Sequence, residues 1–362
     1  MPSGVPDNTC YLDQFGWNDA VARSFAEYRA EGLRPARVAR TERGQCMLVT
    51  TDGARSAELA EALRGADPMS APCTGDWVAW QPGDPDTVRA VLPRQTTLAR
   101  SSASGRSEGQ VLATNVDIVV IVASLTATIV LSRIERFLAL AWESGAQPVV
   151  ALTKADEAED PDGALAEVSS AAAGAEVFAI SAVTGSGMAE LTAALTGTIV
   201  LIGPSGTGKS TLGNALLAED RLAVGRVRGQ DGKGRHTTTS RELVALPSGG
   251  VLIDTPGLRG VGLWAAEDAT GNGVQQAFPE IEELAEQCRF RDCGHDAEPG
   301  CAVLAALDAG ELPMRRLASY RKLLRENEWI ASRSDARKRA ERTRQTKVIT
   351  KSLRQTYKFR NR

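Results

Sequence analysis

Three features of this 362-residue chain predict a multidomain protein built from an all-β unit, an α/β unit and a mostly α-helical unit, in that order. Short alternating segments separated by Gly, Pro and Asp turns fill Pro35 to about Arg100. Continuous apolar runs alternating with helix-like segments follow from Val111. After about Gly262 the text turns helical and gathers three of the six cysteines and one of the two histidines. A chain of this length has room for two or three cores, and its 43% apolar content excludes a disordered protein. No run of about 18 uncharged apolar residues suggests a membrane span. The opening "MPSGVPDNTCYLDQFGWNDA" has neither a basic leader nor an apolar core. A cytoplasmic protein without a membrane partner is therefore expected.

Each element has its own signal. "WNDAVARSFAEYRAEG" reads as a short helix ended by Gly32, within an N-terminal extension over 1–34. "ARVARTERGQCMLVTT", "GDWVAWQ" and "TVRAVLP" have the spacing of a small barrel or sandwich over 35–100. "SSASGRSEGQ", 101–110, reads as a polar loop or linker. Six strands are then expected in "VDIVVIVASL", "PVVALT", "AEVFAISA", "TIVLIG", "ELVALP" and "GVLID", with "LSRIERFLALAWESGA" as a helix. "FPEIEELAEQC", "CAVLAALDAGEL" and "MRRLASYRKLLRENEWIASR" read as the later helices. From Ala331 to Arg362 there are 12 Lys and Arg against 2 Asp and Glu, a tail of +10 on a chain whose total is −3. A basic tail on an acidic body suits an anionic partner, or else a solvated helical end.

The strongest chemical signal is Gly203-Pro204-Ser205-Gly206-Thr207-Gly208-Lys209-Ser210, which fits G-x-x-x-x-G-K-[ST] between an apolar strand and the helical "STLGNALLA". Its glycines let backbone N–H groups converge on phosphate oxygens. Lys209 would neutralise the β/γ-phosphates, the Ser210 hydroxyl would ligate Mg²⁺, and Thr211 extends the same turn. The helix starting near Lys209 adds its positive end. Some 50 residues on, "VLIDTPG" ends a strand in an acid, so Asp254 suits Mg²⁺ and the Gly257 N–H suits the γ-phosphate. Between them, "GRHTTTS" offers Thr237 or Thr238 to the metal, and spacing does not choose between them. Many GTPases carry a water-orienting Gln after that glycine, where this chain has Leu258. His236 is one candidate for the missing group, and a structural hydrogen bond is its other reading.

The base is read from Thr153-Lys154-Ala155-Asp156. The Asp156 carboxylate can accept from guanine N1–H and N2–H₂, which adenine lacks, and the Lys154 stem can cover the ring. Ser181-Ala182, after another strand, supplies a backbone N–H for the guanine oxygen. Thr153 stands where Asn is commoner, which is expected to weaken one loop-bracing contact. The guanine element precedes the phosphate loop in the chain, the reverse of the ordinary order. A circular permutation explains this, because it moves the termini and keeps the site. Finally, Cys288, Cys293, His295 and Cys301 read C-x₄-C-x-H-x₅-C, a ligand set for one closed structural Zn²⁺.

On "GDWVAW", "NVDIVVIVASL", "LTKAD", "ISA", "GPSGTGKSTL", "GRHTTT", "DTPGLRGVGLW" and "CRFRDCGHDAEPGCAV", the chain from about Pro35 to Trp329 resembles the circularly permuted, ribosome small-subunit-dependent GTPases of bacteria. The resemblance implies an OB-fold at 35–100, a permuted P-loop GTPase domain at 101–265, a helical zinc domain at 266–330 and a basic tail at 331–362. It implies GTP/GDP, Mg²⁺ and one Zn²⁺ as cofactors, and slow GTP hydrolysis stimulated by the 30S subunit late in its maturation. The expected partners are the 30S subunit, its 16S ribosomal RNA near the decoding region and other small-subunit assembly factors. The protein itself is expected to be monomeric. Trp77 and Trp80 are the only aromatics at 35–100, so contacts through the RNA backbone are expected to dominate there. Three other readings fit parts of the pattern: a P-loop ATPase or kinase, a nucleotide-holding RNA scaffold without turnover, and a permuted GTPase of the large subunit.

Overall fold

The computed structural model describes residues 10–101, 109–222, 241–254 and 272–328. Its N-terminal extension is docked. Helices α1 (Cys10–Asp13) and α2 (Asp19–Ala30) bury Leu12, Phe15, Val21 and Phe25. Asn18 starts α2 by accepting from the Ala20 and Val21 amides at 3.0 Å, the capping expected of an Asn before a helix. Gly32, with φ +76°, turns the chain into the barrel.

Five strands, β1 (Arg34–Glu42), β2 (Gln45–Thr50), β3 (Gly53–Leu59), β4 (Trp77–Gln81) and β5 (Thr87–Val91), close in the order β1-β2-β3-β5-β4, with β4 returning to β1. The expected all-β barrel is present, with Ala36, Val38, Leu48, Val78, Trp80 and Val88 filling it. Trp77 and Trp80 are both buried. Trp80 fills the barrel and Trp77 packs against Trp17 of the N-terminal extension, so neither presents a ring face to a nucleic acid. Burial also pushes the Cys46 and Cys73 thiols up to about 12, which makes them unreactive core residues.

The polar stretch at 101–110 is not simply a linker. Strands β6 (Thr97–Ser101) and β7 (Gly109–Thr114) pair antiparallel across it. Residues 102–108 lie outside the described set.

All six expected α/β strands are found: β8 (Ile118–Ser124), β9 (Gln147–Thr153), β10 (Glu176–Ala179), β11 (Thr198–Ile202), β12 (Glu242–Ala245) and β13 (Val251–Asp254). They lie in the order β10-β9-β8-β11-β13-β12. The sheet is open, and its edge strand β12 runs antiparallel to β13. Alternation distributes the core between its two faces. Val119 and Ile121 join α4 (Leu131–Ser144), while Val120 and Val122 join α7 (Lys209–Leu217) and α6 (Met188–Ala194). Helix α5 (Pro161–Ala171) packs beside β10. Beyond the sheet stand α8 (Gly273–Ala277), α9 (Pro279–Ala285), α10 (Ala302–Asp308) and a helix α11 over 314–328. Among the described residues no helix is long and apolar enough to cross a membrane.

Barrel and sheet are locked by one buried cation. Arg37, on β1, donates from Nη2 to Thr198 Oγ1 at 2.8 Å and to Asn115 O at 3.0 Å, and from Nε to Gly75 O at 3.2 Å. It also reaches Phe15 O. One guanidinium therefore ties the N-terminal extension, the barrel and the foot of β11 together. Burial lowers its pKa to about 10, so it stays charged at neutral pH.

Candidate nucleotide site and metal centre

The carboxyl ends of β8, β9, β10, β11 and β13 lie on one edge of the sheet, through the parallel registers Ser124↔Thr153, Ala179↔Leu152, Ile202↔Ile121 and Val200↔Ile253. That edge is where open α/β sheets bind ligands. It collects Thr153, Ser181, Gly203 and Asp254 from segments far apart in the chain.

The phosphate loop, 203–208, connects β11 to α7. Gly203 has φ +146°, and a Cβ there would stand 2.3 Å from Val122 O, so only glycine lets this loop leave the sheet. Gly208 is the left-handed N-cap of α7. Ser205 and Gly206 face solvent, while Lys209, Ser210 and Thr211 lie half-buried on the first turn of α7. The loop is braced internally by Thr207 Oγ1 donating to Pro204 O at 2.9 Å and by Lys209 Nζ donating to the same oxygen at 2.5 Å.

Thr153 does not weaken the brace. Its hydroxyl lies 2.7 Å from Thr207 O in the phosphate loop and 3.2 Å from Ala123 O. The short β-branched side chain reaches because Gly208 leaves room, its notional Cβ only 3.4 Å from Thr153 Oγ1. Thr153→Val keeps the shape and leaves the Thr207 carbonyl unpaired in a buried place. It should weaken GDP binding roughly tenfold, for about 1–2 kcal/mol. Thr153→Asn should bind nearly as wild type. Fluorescence titration with labelled GDP measures both, and unchanged affinity in the valine variant would remove the brace from the account.

After Thr153 the chain makes a sharp turn. Lys154 takes a left-handed φ of 61° and opens a 3₁₀ turn over Ala155–Glu157, with the Ala155 amide donating to Ile180 O at 3.0 Å. Lys154 Nζ lies 3.5 Å from Thr126 Oγ1, and Asp156 is exposed at the rim. In the Ser181–Gly187 loop, the Ser181 amide is taken by Ser186 O at 2.9 Å and its hydroxyl accepts from Thr184 N at 3.1 Å. Of the Ser181-Ala182 pair, the Ala182 amide is the one left for a ligand. Asp254 closes β13, and its carboxyl is held above the usual carboxylate range by burial and then by Glu242, its register partner on β12. A hard cation bound by the Asp254 carboxylate and the Ser210 hydroxyl would relieve that crowding. His236, Thr237, Thr238, Gly257 and Leu258 lie outside the described residues, as does the basic tail.

Sequence reading missed a cavity of about 240 Å³ between Pro204–Thr207 of the loop and the start of α4. Its floor holds Ile121, Ile134 and Phe137, and Arg133 stands at its wall. The available signal was Ser124 to Thr126, which follow the strand that neighbours β11 once the permuted order is undone.

The metal ligands come together as read. Cys288, Cys293, His295 and Cys301 place their ligand atoms within 4.8 Å of one another. Cys288 Sγ lies 3.8 Å from Cys301 Sγ, and His295 Nδ1 lies 3.6 and 3.5 Å from the two. The edges of a tetrahedron drawn with Zn–S bonds of about 2.3 Å and Zn–N bonds of about 2.0 Å are about 3.8 Å and about 3.5 Å. Three thiolates with one imidazole select a soft divalent ion over Mg²⁺ or Ca²⁺. Glu298 staples the loop, accepting from Gly294, Asp296 and Ala297 amides at 2.8–3.1 Å. Those donors hold its carboxyl down at about 2.

A parallel-edged sheet with this phosphate loop, a T-K-x-D turn beside it and a permuted strand order defines a circularly permuted P-loop GTPase. The model of the RsgA GTPase family matches residues 91–264. The small ribosomal subunit biogenesis GTPase RsgA of Streptomyces coelicolor is 58% identical over 92% of this chain and 91% of its own length. The chain belongs to the RsgA GTPase family and is a GTP hydrolase. Among solved structures, YjeQ from Thermotoga maritima matches with a TM-score of 0.61 at 26% identity, over 82% of this chain and 98% of its own. YloQ, a circularly permuted GTPase, shares the fold with a TM-score of 0.58 at 22% identity, over 83% and 96%.

Proposed function

We propose that this GTPase acts on the 30S ribosomal subunit in the late stage of its maturation and that 30S binding stimulates hydrolysis. The family and its relatives named for small-subunit biogenesis support the partner. The observation that carries the site is the Thr153 hydroxyl on Thr207 O at 2.7 Å, which welds the guanine turn to the phosphate loop despite their reversed order. In this reading Lys209, Ser210, Asp254, Gly257 and one of Thr237 and Thr238 serve phosphate and Mg²⁺. Lys154, Asp156 and the Ala182 amide serve guanine. His236 is the candidate for the work of the missing Gln. Cys288, Cys293, His295 and Cys301 hold one structural Zn²⁺, which leaves no open position for chemistry. The barrel at 35–100 and the zinc domain at 266–330 contact 16S ribosomal RNA, with the basic tail adding affinity. The protein works in the cytoplasm as a monomer.

Phosphate release from GTP and from ATP, with and without purified 30S subunits, tests the proposal. Strong stimulation by 30S with GTP alone is expected. Equal turnover of ATP would overturn the guanine assignment, and indifference to 30S would overturn the partner. Asp156→Asn tests the base more sharply. Losing carboxylate hydrogen bonds worth about 1.5–3 kcal/mol each, it should bind GTP roughly a hundredfold more weakly and gain xanthosine triphosphate. A variant that keeps GTP affinity would rule Asp156 out as the guanine ligand.

A further inference from the structure

Helix α4 has two working faces. Arg133, Ile134 and Phe137 look onto the cavity whose opposite wall is the phosphate loop. Glu135, Ala139 and Glu143 follow at i, i+4 and i+8, one stripe of the helix, and that stripe meets the C-terminal helices. Gly273, opening α8, donates its amide to Glu143 Oε2 at 2.8 Å, and a Cβ there would stand 2.3 Å from Ala139 O. Glu135 is fully buried. Its Oε1 accepts from Arg316 Nη1 at 2.9 Å and from Arg315 Nη1 at 3.0 Å, both on α11.

Arg316 is the hub of this joint. It also donates to Ala171 O on α5 at 3.1 Å, to Ala277 O on α8 at 3.2 Å and to Glu280 Oε1 on α9 at 2.7 Å. Its guanidinium stacks 4.3 Å from the Phe278 ring centre. A second pair, Arg136 with Glu326 at 2.8 Å, joins the same two helices nearer the surface. Arg316 therefore grips two helices that flank the sheet, α4 and α5, and three partners in the C-terminal segment 277–280.

The joint is not saturated. Both arginines converge on Oε1, while Glu135 Oε2 is buried without a partner. A bare carboxylate oxygen in a dry place is costly. A coupling element needs a second arrangement of the same contacts, and Glu135 Oε2 is the acceptor open to one.

We infer that Glu135 and Arg316 couple the nucleotide state to the placement of the C-terminal helices, with α4 carrying the change from the phosphate-loop cavity. This route is built from contacts of α4, α5, α8, α9 and α11, and it rests on the phosphate loop being the nucleotide site. Coupling is reciprocal, so loosening the joint must alter the preference of the site between GDP and GTP.

The test compares Glu135→Gln with Glu58→Gln, using full-length protein. Each removes one carboxylate from an arginine, Glu135 from Arg316 within the joint and Glu58 from Arg64 on the barrel surface. Affinities for labelled GDP and for a non-hydrolysable GTP analogue give the ratio that reads coupling. Glu135→Gln should shift that ratio at least about fivefold, while Glu58→Gln leaves it at the wild-type value. An unshifted ratio in Glu135→Gln, or the same shift in both variants, overturns the inference. Should Glu135→Gln fail to fold, hydrogen exchange over 314–328 in the wild type decides. A difference between the GDP and analogue states supports the joint, and identical exchange rejects it. Failure of the wild type to bind GDP at all would instead count against the nucleotide site.

Discussion

Lys209→Ala abolishes turnover, with hydrolysis of GTP falling by at least about a hundredfold to a thousandfold and nucleotide affinity falling with it. The reason lies in where the lysine stands. It opens α7 directly after Gly208, half-buried, with Nζ folded back over the loop to Pro204 O at 2.5 Å. No other side chain of the loop, 203–208, is cationic, so within the loop the β/γ-phosphate charge meets only backbone N–H groups and the helix end. Removing the ammonium takes away the loop's one full positive charge while the loop keeps its glycine-determined shape. The loss should therefore appear in kcat and in GTP affinity, with the thermal midpoint nearly unchanged. Single-turnover hydrolysis and a melting curve measure the two. A variant that hydrolyses GTP at the wild-type rate would show that another cation does this work.

Stripping zinc is expected to unfold the C-terminal knuckle outright. A structural Zn²⁺ of this ligand set contributes about 10–16 kcal/mol at neutral pH in small domains. Apart from the Glu298 staple and Arg321, which reaches His295 O and pairs with Asp296 at 3.3 Å, little else holds the segment from Cys288 to Cys301. Arg289, Phe290, Arg291 and Asp292 are exposed, and α9 and α10 have seven residues each. Helices of that length do not persist alone. Without the metal, three thiols crowd within 4.8 Å of one imidazole and gain nothing from it. Purified protein should carry one zinc per chain by elemental analysis. Cys301→Ser or a strong chelator should remove it and expose the 279–309 amides to exchange, with those of β8, β9 and β11 still protected. Full protection of the knuckle after metal removal would show that packing, not zinc, holds it.

The two effects differ in kind. The first removes a charge from a site whose frame is set by glycines, and the second removes the frame itself. Between them lies the Glu135–Arg316 joint, through which loss of the knuckle should also reach the nucleotide site. A zinc-stripped protein should then bind GDP and the GTP analogue with an altered ratio, as the loosened joint does.

Sequence determined the local chemistry of this protein. The loop from Gly203 to Ser210, the Thr153–Asp156 turn and the four metal ligands are contiguous or nearly so, and each works through residue types at fixed short spacing. The inner strands β8, β9, β11 and β13 were legible because strands covered on both faces are written as unbroken apolar runs. Tertiary structure decided what depends on distant neighbours. Thr153 looked like a weakened brace until its hydroxyl was seen on Thr207 O, 54 positions away. The pairing of β6 and β7 was hidden because it is set by register and not by an apolar run. Arg37 and Arg316 carried no signal in the sequence, for nothing in a one-dimensional text marks a cation that will be buried. Their roles exist only because folding surrounds each guanidinium with carbonyls and carboxylates from four or five segments, contacts that no local pattern encodes.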